Sequence, residues 1–249
     1  MNDDRGVVYL LVHGTWAHGQ MEIISTLQTL LGEEGENSLA ITLSLGVDNR
    51  SGFLDCENPI TARHDAAIGE ISLWVDYLST RFSSVIIIGH SRGGNQVALF
   101  NQSHSKDSVK KLVLIAPMSW NKKYVELAYK QQFEMQLPPL ITDAEKHIGG
   151  SLKGGIFNCK NVEINTDSFL SYYSSYPNRN TPDLLVNIDK PTLVILGSED
   201  ALSKKYQVSA SKVKMGAMVE EVWIDGAGHF FRDFYADELV ELLLKWVNE

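Results

Sequence analysis

The sequence predicts an α/β fold built on a parallel, doubly wound sheet, and three observations predict it. Short apolar runs such as Val7–Val12 and Val85–Ile88 lack the alternation of a half-exposed strand, so they read as strands covered on both faces. Stretches with the apolar spacing of amphipathic helices lie between them. The two kinds of segment alternate along most of the chain, which is the pattern of βαβ units.

Taken in order, Val7-Val8-Tyr9-Leu10-Leu11-Val12 is the first strand, running into His13-Gly14-Thr15-Trp16-Ala17-His18-Gly19. Residues 21–31 carry helical spacing at Ile23, Ile24, Leu27, Leu30 and Leu31, stopped by Gly32. Residues 40–45 form the second strand, followed by a loop from Gly46 to Pro59, and residues 62–80 an amphipathic helix with Ile71, Val75 and Leu78 on its apolar side. The run 85–88 gives way at once to a helix, and Lys111–Pro117 supplies the next strand. Between Met118 and Asp189 the alternation stops. Helical patches at 120–133 and 167–175 flank a Pro138-Pro139 break and a loose Gly149-Gly150…Gly154-Gly155 region. Aromatic residues crowd this stretch (Trp120, Tyr124, Phe133, Phe157, Phe169, Tyr172, Tyr173 and Tyr176), either as its own core or as the wall of a pocket. A strand-free stretch of this length is no simple crossover and reads as an inserted helical lid, 118–189, dividing a core into 1–117 and 190–249. The strand pattern returns at 191–196 and 220–224, and a helix over 233–248 closes the chain. About six strands are expected.

At 249 residues, 44% hydrophobic and 21% charged, the chain has the composition of a soluble globular protein large enough for one well-buried domain. A net charge of −9 argues against nucleic acid and anionic membrane as partners. Two cysteines, Cys56 and Cys159, suggest no disulfide framework, have no activating partner and point to a reducing compartment. The start Met1-Asn2-Asp3-Asp4-Arg5 is no signal peptide, and no apolar run has the length of a membrane span. The expectation is a cytoplasmic protein.

The chemistry centres on Gly89-His90-Ser91-Arg92-Gly93, lodged between a buried strand and the helix beginning near Asn95. A strand that becomes a helix within so few residues needs positions without Cβ atoms, and glycines stand two before and two after Ser91. Such a bend holds a serine hydroxyl out over a helix N-terminus, where unpaired N–H groups suit a carbonyl oxygen that becomes negative. A serine hydroxyl is a weak nucleophile and needs a base held in one tautomer. Open α/β sheets place their sites at the carboxyl ends of strands. Two such ends carry the needed groups: Gly197-Ser198-Glu199-Asp200 and Asp225-Gly226-Ala227-Gly228-His229. Asp200 is the favoured carboxylate, with Glu199 and Asp225 as competitors.

In these pieces, together with His13-Gly14 after the first strand, the sequence resembles the α/β-hydrolase family, whose order of serine, acid and histidine it shares. The resemblance covers nearly the whole chain except the lid. It implies Ser91 as nucleophile, His229 as base and then acid, Asp200 as the orienting carboxylate, and the backbone N–H groups of Thr15 and Arg92 as the oxyanion hole. Only six residues precede the first strand, so the family's leading antiparallel hairpin has no counterpart and an all-parallel sheet is expected. Arg92 stands where many relatives have an uncharged residue, and Asp48, Asp55 or Glu57 are the candidate partners of its side chain. His13 is expected to bond loop backbone, His90 to shape the bend, and His64-Asp65 to start the 62–80 helix. His13 and His18 have the spacing of helical zinc ligands but lie in a glycine-punctuated loop, so no metal is expected there, and no cofactor.

The implied activity is hydrolysis of small to medium carboxylic esters through an acyl-enzyme on Ser91, with Trp16, Trp120 and Tyr124 as candidate substrate contacts. Thioesters, amides and carbon–carbon bonds stay open as alternatives for the same residues. A non-catalytic ligand-binding shell is the rival from another class. Oligomeric state is left undetermined.

Overall fold

A computed structural model of the chain describes residues 6–57, 60–174 and 179–249. Its elements begin β1 (Val7–Val12), α1 (Glu22–Glu33), β2 (Asn37–Ile41), α2 (Ala66–Ser79), β3 (Ser84–His90), α3 (Arg92–His104) and β4 (Val109–Ile115). There follow α4 (Lys122–Phe133), α5 (Leu137–Lys146), β5 (Ser151–Ile156), β6 (Cys159–Asn165), α6 (Thr166–Tyr173) and α7 (Thr181–Leu185). The chain ends β7 (Thr192–Gly197), α8 (Ala201–Ala210), β8 (Val219–Ile224) and α9 (Phe234–Asn248).

Six strands form one sheet in the order β2-β1-β3-β4-β7-β8, and every neighbouring pair is parallel. The period-2 geometry of a strand sorts each run between two cores. Val8, Leu10 and Val12 of β1 pack with Val75 of α2 and Phe100 of α3 on one face. Tyr9 and Leu11 pack with Leu27 of α1 and Leu243 of α9 on the other. Both faces are covered, which is why the strands read as unbroken apolar runs. From β1 the chain steps to one side for β2 and returns to the other for β3, so the strand order reverses between β1 and β3. The carboxyl ends of these two strands, at His13 and Ser91, therefore flank the crevice where open α/β sheets bind ligands.

Several sequence expectations need correction. The stretch between β4 and β7 is not strand-free, because β5 and β6 pair antiparallel as a hairpin. Its glycines disguised it: Gly154 and Gly155 stand where β5 would show side chains, and Gly155 is bare because the Phe133 ring lies where a Cβ would go (2.2 Å). Pro138 and Pro139 open α5 rather than break a helix, since the first helical turn needs no N–H donors there. β2 spans 37–41 rather than 40–45 and is an edge strand with only Ile41 buried, so polarity hid its first half. α2 spans 66–79 rather than 62–80, and it starts as expected after His64-Asp65, with Asp65 at the N-cap position and its carboxylate held by Arg63. Of the residues singled out in the sequence, Met1–Arg5, Pro59 and Tyr176 lie outside the described residues.

The largest correction concerns the cysteines, because Cys56 and Cys159 are joined in a disulfide. The two are 103 residues apart in sequence, and only the fold brings the loop after β2 against β6. Next to it, Asn165 N–H donates to the Ile60 carbonyl at 3.0 Å, extending the seam. The pair is no set of inert thiols, and a disulfide is a feature of oxidising surroundings, so the argument for a reducing compartment loses its premise. No helix among the described residues is long and apolar enough to cross a membrane.

A cross-link closing a loop of this length stabilises chiefly by restricting the unfolded chain, by up to about 5 kcal/mol. Cys56→Ser/Cys159→Ser should therefore lower the thermal midpoint by several degrees, and reductant should do the same to the wild type and nothing to the variant. Equal midpoints with and without reductant would show that the bridge carries no stability.

Candidate active site

Ser91 sits between β3 and α3 with φ +56° and ψ −117°, a conformation that side chains rarely adopt. The surrounding structure holds it there: its N–H donates to the Ile115 carbonyl at 2.8 Å, and its carbonyl accepts from Met118 N–H at 2.9 Å. The flanking glycines are demanded by close packing. A Cβ on Gly93 would lie 2.4 Å from the Val12 carbonyl oxygen, and one on Gly89 would lie 2.5 Å from that of Gly93. Any side chain there would push α3 off the sheet and take the hydroxyl with it.

His229 Nε2 lies 3.1 Å from Ser91 Oγ, and His229 Nδ1 lies 3.0 Å from Asp200 Oδ2. A carboxylate can only accept, so Nδ1 carries the proton and Nε2 is free to take one from the serine. Asp200 is 3% exposed and caps α8, accepting from Leu202 N–H, Ser203 N–H and Ser203 Oγ at 2.8, 3.0 and 2.7 Å. Burial raises its pKa, but the bonds from His229, Ser203 and Leu202 outweigh burial and hold it down at about 2. Gly197 allows the two loops to meet, since a Cβ there would strike the Ala227 carbonyl oxygen at 2.4 Å. The competing carboxylates are engaged elsewhere: Glu199 with Lys204 at 3.6 Å, and Asp225 with Ser198 Oγ at 3.0 Å.

Behind the imidazole, His90 Nε2–H donates to the His229 carbonyl at 2.9 Å and fixes that loop from below. His13 accepts Leu43 N–H at Nε2 and places Nδ1 2.8 Å from the Gly14 carbonyl, bracing the turn that carries Thr15. Thr15 and Arg92 are brought together by a bond from Arg92 Nε to Thr15 Oγ1 at 3.0 Å. None of the acids proposed for the Arg92 side chain pairs with it. Its guanidinium instead lies over the rings of Phe157, 4.7 Å away, and Tyr172, 5.2 Å away, and reaches His64 Nδ1 at 3.4 Å. The loop holding Asp48, Asp55 and Glu57 is tied down by other contacts, whereas the β5–β6 turn delivers Phe157 directly over the guanidinium.

Trp16 is buried, edge-on to Phe157 at 4.7 Å and to Tyr172 at 6.4 Å. Trp120 is half-buried and lines a cavity of about 530 Å³ with Leu137, Ile141, Leu170 and Tyr173; neither Ser91 nor His229 is in its wall. Tyr124 stands 39% exposed on the first turn of α4. Two buried residues escaped the sequence reading, Asn95 and Ser203. Asn95 Oδ1 accepts from His64 Nε2 at 2.8 Å, while its Nδ2 donates to the Arg179 carbonyl and to Thr181 Oγ1. This leaves His64 Nδ1 as an acceptor facing Arg92. The available signal was amide-rich: Asn95-Gln96 opens a helix whose buried face should be apolar.

A family model described as "Alpha/beta hydrolase family" matches residues 9–242. Among solved structures, the chain is similar to Est1E from Butyrivibrio proteoclasticus with ferulic acid bound, at 18% identity and TM-score 0.67, over 100% of this chain and 92% of that one. A thermophilic esterase from Thermogutta terrifontis with malate bound aligns at 17% identity and TM-score 0.65, over 98% and 90% of the two chains. A monoacylglycerol lipase from Paleococcus ferrophilus aligns at 16% and 0.63, over 96% and 93%. At these identities the structural likeness concerns the fold. No curated protein matches the sequence.

The site is packed against three buried histidines, and this has a consequence for acid stability. Burial pushes His13 down to about 4, while burial with nearby Arg92 takes His64, and burial with nearby His229 takes His90, to about 3. Unfolded histidines titrate near ~6.5, so below that pH the unfolded chain binds protons that the folded chain refuses. Stability is thus present above about pH 6.5 and lost as pH falls toward 4, by up to about 1.4 kcal/mol per pH unit for each imidazole. Denaturant titrations at pH 7 and pH 5 should show that loss, and His90→Gln should flatten it by about a third. An unchanged pH slope in the variant would contradict the assignment.

Proposed function

Because the chain belongs to the α/β-hydrolase family, we propose that it is a serine hydrolase that cleaves carboxylic esters. The observation that carries this reading is the unbroken chain of contacts from Ser91 Oγ through His229 to Asp200, at 3.1 and 3.0 Å. In the proposed reaction His229 Nε2 takes the Ser91 proton as the oxygen attacks the ester carbonyl. Asp200 holds the imidazole in the tautomer that can do so and balances its transient positive charge. The carbonyl oxygen becomes an oxyanion held by the backbone N–H groups of Arg92, at the start of α3, and Thr15. The imidazolium then returns the proton to the departing alcohol. Water, deprotonated by the same imidazole, attacks the acyl-serine and releases the acid.

The names of the structural neighbours favour esters over other acyl bonds as the substrate class. The segment between β4 and β7 is proposed as the lid over this site, with Trp16 on the side of the acyl group. The proposed substrate is a small molecule, and the proposed reaction uses no cofactor.

Short p-nitrophenyl esters test the reading. The wild type should turn over and be labelled by a serine-directed phosphonate, and Ser91→Ala should lose both. Asp200→Asn should cut kcat by about 10⁴-fold while leaving the fold intact, because the amide selects the wrong tautomer. Equal rates for wild type and Ser91→Ala would remove the hydrolase reading. An effect below tenfold in Asp200→Asn would remove Asp200 from its role.

A further inference from the structure

The side chain that follows the nucleophile is a cation without an anion. Of the five N–H bonds of the Arg92 guanidinium, one goes to Thr15 Oγ1 and one to His64 Nδ1. The other three have no acceptor, and no carboxylate pairs with the group, among the described residues. The nearby acids are committed: Asp65 to Arg63, Glu70 to the N–H and hydroxyl of Ser44, and Asp200 to His229 and Ser203. Stacking on Phe157 and Tyr172 compensates such a charge only in part.

A second, independent observation lies beside it. Trp16 Nε1 is turned toward Tyr172 Oη, neither atom has another partner, and the phenol O–H is left without an acceptor, in side chains each 4% exposed. Buried polar groups are nearly always satisfied, so orphans mark a place where a partner is to be supplied. The Trp16 and Tyr172 rings are in edge contact, and the guanidinium lies over the Tyr172 ring. The indole and the guanidinium can only donate, and the phenol can donate. A cluster of donors around one uncompensated positive charge is complementary to a single-charged, planar acceptor, and the guanidinium fork matches a carboxylate edge-on.

We propose that Arg92, Trp16 and Tyr172 form a carboxylate pocket beside Ser91, which selects ester substrates whose acyl group carries a free carboxylate at its far end. The inference rests on the serine-hydrolase reading for what happens next to the pocket, but the pocket itself can be tested without turnover. The Arg92 and Thr15 backbones are the proposed oxyanion donors and their side chains touch, so carboxylate and scissile carbonyl would bind a few bonds apart. Half-esters of short dicarboxylic acids have that spacing.

Monoethyl glutarate and ethyl valerate differ in carrying a carboxylate or a methyl group at the end of acyl chains of equal length. Hydrolysis followed by pH-stat should show kcat/KM at least tenfold higher for the half-ester, with the ratio falling toward one in Arg92→Gln and partly kept in Arg92→Lys. In parallel, calorimetry should show saturable binding of monoethyl glutarate to Ser91→Ala and none to Ser91→Ala/Arg92→Gln. Should Arg92→Gln not fold, Tyr172→Phe carries the test, with the preference reduced about threefold. Hydrolysis of both esters at equal rates would overturn the carboxylate pocket and leave the hydrolase reading standing. Arg92-dependent binding without hydrolysis of either ester would do the opposite. Equal loss of both activities in Arg92→Gln, with no binding to Ser91→Ala, would reduce Arg92 to a packing role and overturn the proposal.

Discussion

Everything at the site depends on one strained residue. Ser91 holds a left-handed backbone at the end of a buried strand, a state that costs about 1–3 kcal/mol wherever a side chain is attached. It persists because the sheet leaves no alternative. β3 is fastened on both sides, to β1 and to β4, and α3 must start at once beneath Val12 and His13. The strain fixes where the hydroxyl stands. The imidazole and carboxylate then come to it from loops at the ends of β7 and β8, which lie beyond β4 on the same side of the sheet.

The segment between β4 and β7 is joined to this core through chemistry rather than through the sheet. Its aromatic residues form a continuous cluster in which the Tyr129 ring touches those of Phe133, Phe169 and Tyr173, and the last two touch each other. Phe157 extends that cluster to Trp16 on the core side, holding φ +51° to do so. The Cys56–Cys159 bridge anchors the same hairpin to the loop after β2. The Asn95–His64–Arg92 contacts add a polar seam under it. Packing, covalent bond and buried polar network thus converge on the residues beside Ser91. Of the aromatic side chains that the sequence leaves open between core and pocket, Phe133, Phe169 and Tyr173 pack into this segment's own core, and Phe157 and Tyr172 lie against Arg92.

The sheet and its order of chemistry were legible because both depend on local rules. A strand covered on two faces must be an uninterrupted apolar run, and a strand-to-helix bend must lack Cβ atoms, so Val85–Gly94 declares itself. Position at strand ends was enough to propose Asp200 and His229, and the structure sets the latter between Ser91 and Asp200. The errors were of another kind. A glycine-bearing hairpin looks like a loose loop, because the contact that excludes a side chain at Gly155 comes from Phe133, more than twenty residues away. An edge strand such as β2 has too little burial to show a pattern.

By itself the sequence determined where β1, β3, β4, β7 and β8 run, that the strands of the six-stranded sheet are parallel, and which residue is held at the bend. These follow from short-range sterics and from burial, which act over a handful of neighbours. Only the tertiary structure decided that two cysteines 103 residues apart are bonded, and that Arg92 rests on aromatic rings rather than on an acid. Those pairings depend on the distance between segments that the chain separates and the sheet brings back together, and no local rule contains that distance.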